Sequence, residues 1–160
     1  MTERRSARRF AASFLIAIGF ALNMPSALCE PTEDDPAAAA KDPDYAAGKQ
    51  AMLKRDWPEA VARFGKALLR DPDNADLHNH LGFAHRNLRH YALAFKHYEQ
   101  ALALSPRHRG AHEYIGEAYL MTGNLAGAAK HLAALREICL LPCEELEDLE
   151  KAISAYRKSK

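Results

Sequence analysis

An internal repeat with a period of 34 residues constrains the fold of this 160-residue chain more than any other feature. Small, large and helix-breaking residues all recur at that spacing. The recurrent positions are the glycines Gly48, Gly82 and Gly116, the alanines Ala60, Ala94 and Ala128, the large residues Phe64, Tyr98 and Leu132, and the prolines Pro72 and Pro106. Features that repeat in phase at one such period indicate stacked supersecondary units.

Each unit is predicted to contain two helices joined by a tight turn, at the stretches RDWP, LRHY and TGNL. The glycines fall on the first helix and the alanines on the second, where small side chains let two helices cross closely. A glycine inside a helix costs about 1 kcal/mol relative to alanine, so three in register indicate a packing role. The prolines are expected to stop the second helices.

The end of such a stack needs a helix with one apolar face, because each unit buries its core against the next. Residues 143–158 fit this requirement, with Leu146, Leu149, Ile153 and Tyr156 at helical spacing. The sequence therefore predicts an all-α solenoid of three helix-turn-helix repeats, at about 41–74, 75–108 and 109–142, and a capping helix.

These positions resemble the motif of the tetratricopeptide repeat (TPR) family, which reads W-x2-L-G-x2-Y, then A-x3-F, then P. The second unit reads His78-x2-Leu81-Gly82-x2-His85, Ala94-x3-Tyr98 and Pro106. The third unit keeps the spacing, and the first is the most divergent. The resemblance covers residues 41–142 and implies a concave groove, built from the first helices, that binds a peptide or protein partner.

Carried over position by position, the resemblance gives nine groove residues: Tyr45, Lys49, Met52, Asn79, Phe83, Arg86, Glu113, Glu117 and Leu120. The alternative is an ordinary solvated face. Some members of the family clamp a carboxylate with lysine, asparagine and arginine, but only Lys49 among the matching positions here carries the required positive charge. We therefore expect no such clamp.

The first 29 residues predict a cleaved secretory signal peptide, since arginines precede a short apolar run and small residues lie near Cys29. A lipidated Cys29 is the alternative. Residues 30–43 are acidic and rich in alanine and proline, as is typical of a disordered linker. The domain is expected from residue 44 to 160, in the periplasm or secreted, with no membrane span after cleavage.

Removal of residues 1–29 takes away four basic residues and one acidic residue, so the formal charge falls from +1 to −2. A nearly neutral protein has no basic field that would attract nucleic acid. No glycine-rich phosphate loop or nucleophile elbow is present, and Glu113 and Glu117 are expected to be a solvated pair. We therefore predict neither an enzyme nor a cofactor.

Cys139 and Cys143 flank a proline at the junction with the capping helix. A disulfide is the favoured interpretation, because export leads to an oxidising compartment. Two alternatives remain open: thiolates that bind Cu(I) near His131, and a redox pair. The eight histidines lack the spacing of a ready-made metal site, and a pH-sensitive surface is the milder interpretation of them.

The sequence thus favours a non-enzymatic adaptor in the bacterial cell envelope that holds a partner in its groove. The alternative is a copper- or zinc-handling envelope protein that uses Cys139, Cys143 and histidines. A third hypothesis is a homo-oligomer formed through the repeats.

Overall fold

The computed structural model describes residues 42–160, which contain seven α-helices and no strand. The helices are α1 (Pro43–Leu53), α2 (Trp57–Leu68), α3 (Ala75–Asn87), α4 (Tyr91–Leu104), α5 (Arg109–Met121), α6 (Leu125–Ile138) and α7 (Glu144–Lys158). The predicted all-α solenoid is therefore confirmed. The predicted signal peptide and all but the last two residues of the predicted linker lie outside the described residues.

Side chains at the turns fix where several helices begin. Asp56 accepts a hydrogen bond from the Glu59 backbone N–H (3.2 Å), and Asn74 accepts one from Leu77 (3.0 Å). His108 caps α5 through its Nδ1, which accepts from the Ala111 N–H (3.1 Å). Each cap satisfies a backbone donor that has no partner inside its own helix.

The turn inside each helix pair passes through the left-handed region, at Arg55 (φ 58°), Arg89 (φ 61°) and Gly123 (φ 81°). These residues are again 34 apart. The next residue in each turn donates its N–H back to the helix that has just ended, as Asp56 does to the Ala51 carbonyl (2.9 Å). Only the third turn has the glycine that this conformation favours.

The repeated glycines lie where a neighbouring helix approaches most closely. A Cβ on Gly48 would meet the Phe64 ring at 2.6 Å, and one on Gly82 would meet the Tyr98 ring at 2.5 Å. Gly116 differs, because its neighbour is Leu149 of α7 (2.7 Å). The third repeat has a leucine where the first two have an aromatic ring, and the capping helix fills this position instead.

Polar pairs bridge the two helices of every repeat at equivalent positions. The pairs are Asp44–Arg63 at 3.2 Å, His78–His97 at 3.1 Å and His112–His131 at 2.9 Å. The Nε2 of His78 donates to the Pro72 carbonyl (3.1 Å), so its Nδ1 accepts from the Nδ1–H of His97. The histidine pairs are thus the counterparts of an ion pair in the first repeat.

Helix α7 packs against the third repeat through Leu149 and Ile153, with Leu146 and Tyr156 partly buried beside them. Cys139 and Cys143 form a disulfide across the preceding turn, with their Cα atoms 6.1 Å apart. The Cys139 side chain joins the same apolar cluster. The bond therefore closes the connection between α6 and the capping helix.

Within residues 42–160, no helix has both the length and the apolar character that crossing a lipid bilayer requires.

We predict opposite effects of alanine at two helical glycines. Gly82→Ala should lower the free energy of unfolding, because overpacking against Tyr98 costs about 1–3 kcal/mol and exceeds the gain in helix propensity. Gly65→Ala is the matched control, since a Cβ added there would meet nothing within 4 Å, and it should stabilise by about 0.5–1 kcal/mol. Urea unfolding with the disulfide intact measures both, and equal effects of the two substitutions would contradict the packing role.

Candidate functional site

The first helices of the repeats lie side by side and continue into the capping helix. Tyr45 Oη of α1 contacts His80 Nε2 of α3 (3.1 Å), and the rings of Phe83 and Tyr114 join α3 to α5 at 4.8 Å. Gly116 and Leu149 join α5 to α7. We name the surface of these four helices that carries Lys49, Phe83, Glu117 and Tyr156 the inner face.

The structure divides the nine predicted groove residues into two groups. Lys49 is exposed, and four are half-buried at the inner face: Tyr45, Met52, Phe83 and Glu117. The other four are buried: Asn79 (4% exposed), Arg86 (7%), Glu113 (9%) and Leu120 (9%). Neighbouring helices account for this burial, since Arg86 extends from α3 onto α5 and Asn79 faces Gly110. The position of a residue in the repeat therefore does not by itself determine whether its side chain is accessible.

Arg86 is the centre of a contact between the second and third repeats. Its guanidinium lies over the rings of Phe83 (4.9 Å) and Tyr114 (5.2 Å). Its Nη1 donates to Glu117 and to the Tyr114 carbonyl (3.4 Å). A buried charge of this kind needs an opposite charge and aromatic faces to offset its lost hydration. Arg86 thus links α3 to α5 from beneath the inner face.

Five buried side-chain polar atoms have no hydrogen-bond partner among residues 42–160, and all five belong to the second repeat: Asn79 Oδ1, His80 Nδ1, His85 Nδ1, Arg86 Nε and Tyr98 Oη. Burial raises the pKa of the Tyr98 hydroxyl, and Glu117 and Glu113 add to this effect. Each unmet group costs about 1–3 kcal/mol. The second repeat therefore encloses polar groups that the surrounding side chains and backbone do not supply with hydrogen bonds.

Glu113 is buried rather than solvated, contrary to the expectation for the Glu113–Glu117 pair. Burial raises its pKa to about 8, and the carboxylates of Glu117, Asp148 and Glu145 act in the same direction. Arg86 opposes this effect but is already paired with Glu117. At neutral pH the Glu113 carboxyl is therefore mostly protonated.

The carboxylates around Glu113 each have a cation of their own. Glu117 pairs with Arg86, Glu145 with Arg109 (3.5 Å) and Asp148 with Lys151 (2.9 Å). Among the described residues, Glu113 has neither an ion-pair nor a hydrogen-bond partner. One buried carboxyl group is thus left without a counter-charge between α5 and α7.

An apolar pocket of about 350 Å³ lies beside Glu117. Helix α5 contributes Glu117, Leu120 and Met121, and α7 contributes Ala152 and Tyr156. Met121 is 59% exposed at its edge. The repeat motif did not predict the wall that α7 contributes, because the motif ends before the capping helix. The helical spacing that includes Tyr156 was the signal available for it.

The histidines and cysteines do not assemble a metal centre in the described part of the chain. Among residues 42–160, no group of three histidine, cysteine or acidic side chains is arranged to hold an ion. Both cysteines are bonded to each other, so neither offers a thiolate. Burial lowers the pKa of His97 and His131 to about 4, which keeps these rings uncharged at neutral pH.

Comparison with known proteins identifies the repeat. Residues 75–108 match the tetratricopeptide repeat family. No curated protein is significantly similar to the chain in sequence. Several solved structures share the fold at low sequence identity.

One is the TPR2B domain of yeast Sti1 in its pHsp70 complex, which is 19% identical, with a TM-score of 0.67 over 73% of this chain and 95% of that one. The first TPR of Spaghetti (RPAP3) bound to the HSP90 peptide SRMEEVD is 24% identical, with a TM-score of 0.60 over 69% and 87%. The Yersinia enterocolitica type III secretion translocator chaperone SycD is 19% identical, with a TM-score of 0.63 over 72% and 87%.

We predict that Glu113→Gln removes a pH dependence of stability. The carboxyl pKa is raised above its unfolded value of about 4.3, so the folded protein loses stability as pH rises from there to about 8. The gain in unfolding free energy from Glu113→Gln should therefore grow between pH 5 and pH 8 and level off above that. Urea unfolding across this range measures it. Glu99→Gln, on an exposed part of α4, should show no such trend, and a flat profile for Glu113→Gln would contradict the assigned burial.

Proposed function

Because this chain belongs to the tetratricopeptide repeat family, we propose that it is a non-enzymatic interaction module that holds a peptide or protein partner on its inner face. The observation that carries the proposal is the character of this face. Exposed Lys49, half-buried Phe83 and the pocket between α5 and α7 offer charged, aromatic and apolar contacts along one surface. Such a mixture suits an extended peptide.

The comparisons support a peptide ligand. The TPR domain of Sti1 is in complex with pHsp70, and the RPAP3 domain is bound to an HSP90 peptide. For the present chain these complexes favour a peptide as the class of ligand. The lack of clamp residues at the matching positions argues against the same acidic peptide sequences.

The non-enzymatic part of the proposal rests on the surroundings of the inner-face carboxylates. Glu117 is held by Arg86, and the neighbours of Glu113 are other carboxylates and an arginine already in use. A general base needs a proton-bearing nucleophile or substrate group within hydrogen-bond reach. Within residues 42–160, Tyr98 and Tyr114 interact with these carboxylates, and the pKa values of their hydroxyls are raised rather than lowered. This arrangement favours binding over catalysis.

We further propose that the protein acts in the bacterial cell envelope after cleavage of the signal peptide. The basic and apolar N-terminal stretch supports export, and a disulfide between Cys139 and Cys143 is stable in an oxidising compartment.

Export predicts a defined mass for the purified protein. The mature chain should begin at Glu30 and gain about 2 Da on reduction, as expected for one disulfide. Intact-mass spectrometry of protein from the periplasm, with and without reductant, measures both quantities. A chain that retains residues 1–29, or a lipid on Cys29, would contradict cleavage after Cys29. Bound copper or zinc with free thiols would instead favour the metal-handling alternative.

Binding at the inner face predicts cross-links from one side of the solenoid. A photo-reactive residue at Lys49 should give discrete adducts with a partner in cells that export the full chain. The same residue at Lys96, an exposed lysine on α4, is the matched control and should not give them. Adducts from position 96 alone would contradict the proposal, and adducts that contain only this chain would support the homo-oligomer hypothesis.

A further inference from the structure

The end of the inner face next to the capping helix combines two features within a short distance. The apolar pocket is lined by Leu120 and Met121, and Glu117 stands at its rim. Glu113 lies one helical turn before Glu117 on the same face of α5, so these residues follow one another along the helix axis. At 1.5 Å per residue, the seven residues from Glu113 to Leu120 span about 10 Å.

Glu113 marks the place where a positive charge is missing. Its three carboxylate neighbours are each paired with an arginine or lysine of the chain itself, and Glu113 alone has no such partner among residues 42–160. A buried carboxylate is costly unless it is paired. Glu113 keeps 9% of its surface exposed, so the tip of a long side chain can reach it.

We propose that this end of the inner face binds a peptide segment in which an apolar side chain fills the pocket and an arginine or lysine three or four residues away pairs with Glu113. The inference rests on the proposed function, since it specifies the partner of the same surface. The spacing follows from geometry, because an extended peptide advances about 3.3 Å per residue and so covers about 10 Å in three residues. The apolar side chain of the segment is complementary to the apolar pocket. Its arginine or lysine is complementary to the Glu113 carboxyl, which lacks a cation.

Selection from a display library of random dodecapeptides tests the proposal with the mature full chain as the target. Wild-type protein should enrich peptides with an apolar residue and a basic residue three or four positions apart. Glu113→Gln preserves shape without the ionisable group, and should keep the apolar preference but lose the basic one. Met121→Glu places a charge at the exposed edge of the pocket and should lose the apolar preference. Leu93→Glu, on the partly exposed surface of α4, is the control and should select as the wild type does.

Isothermal titration calorimetry then measures the contribution of the cation. The selected peptide should bind wild-type protein at least about tenfold more tightly than its citrulline analogue, which removes the charge of arginine but keeps its shape. Glu113→Gln should bind both peptides equally. Pairing with arginine favours the ionised form of Glu113, so wild-type affinity should rise between pH 6 and pH 8 and binding at pH 7 should release protons. Neither effect is expected in Glu113→Gln.

The outcomes separate this inference from the proposed function. If wild-type protein enriches no peptide, the proposed function itself fails. If peptides bind with no basic preference, or if the citrulline analogue binds as tightly as the arginine peptide, the inference is wrong while the interaction module remains. The arginine–citrulline comparison uses wild-type protein alone, so it decides the matter even if a variant does not fold.

Discussion

The fold depends on the close approach of helices that the absence of a glycine side chain permits. Gly48 and Gly82 let the rings of Phe64 and Tyr98 lie directly against the first helices of their repeats. Those rings are fully buried, and Ala60 and Ala94 beside them have no exposed surface. Contact between backbone and ring thus sets how closely the two helices of each of these repeats pack.

The third repeat breaks this regularity, and the candidate site lies where it does so. Leu132 replaces the aromatic ring, so Gly116 receives Leu149 from the capping helix instead. Packing α7 against α5 brings Glu145 and Asp148 close to Glu113 and adds Ala152 and Tyr156 to the pocket. The disulfide closes the turn that leads into α7. The end of the solenoid, where the capping helix packs, therefore also carries the candidate site.

Much of the fold could be predicted because its signals are local and periodic. Glycine, alanine and proline at fixed spacing indicate helix pairs, and Leu149 and Ile153 at helical spacing indicate the cap. Other features were not predictable from residue type. Arginine at two of the three left-handed turn positions hid the repeat of that turn, because glycine is the residue usually expected there. Two histidine pairs replace the Asp44–Arg63 bridge of the first repeat at the same 34-residue spacing, and only the structure shows that these residues bridge the two helices.

The sequence by itself determined the helix pairs, their number and the cap, since these follow from hydrophobic periodicity and from where small residues permit close packing. The tertiary structure alone decided which of the predicted groove residues are accessible and which are charged. Arg86 and Glu113 were both predicted to line the groove and are both buried, yet Arg86 pairs with a carboxylate whereas Glu113 has no cation as a partner among the described residues. Ionisation depends on burial and on charges brought in from other helices, and these are properties of the packed solenoid rather than of any local stretch of sequence.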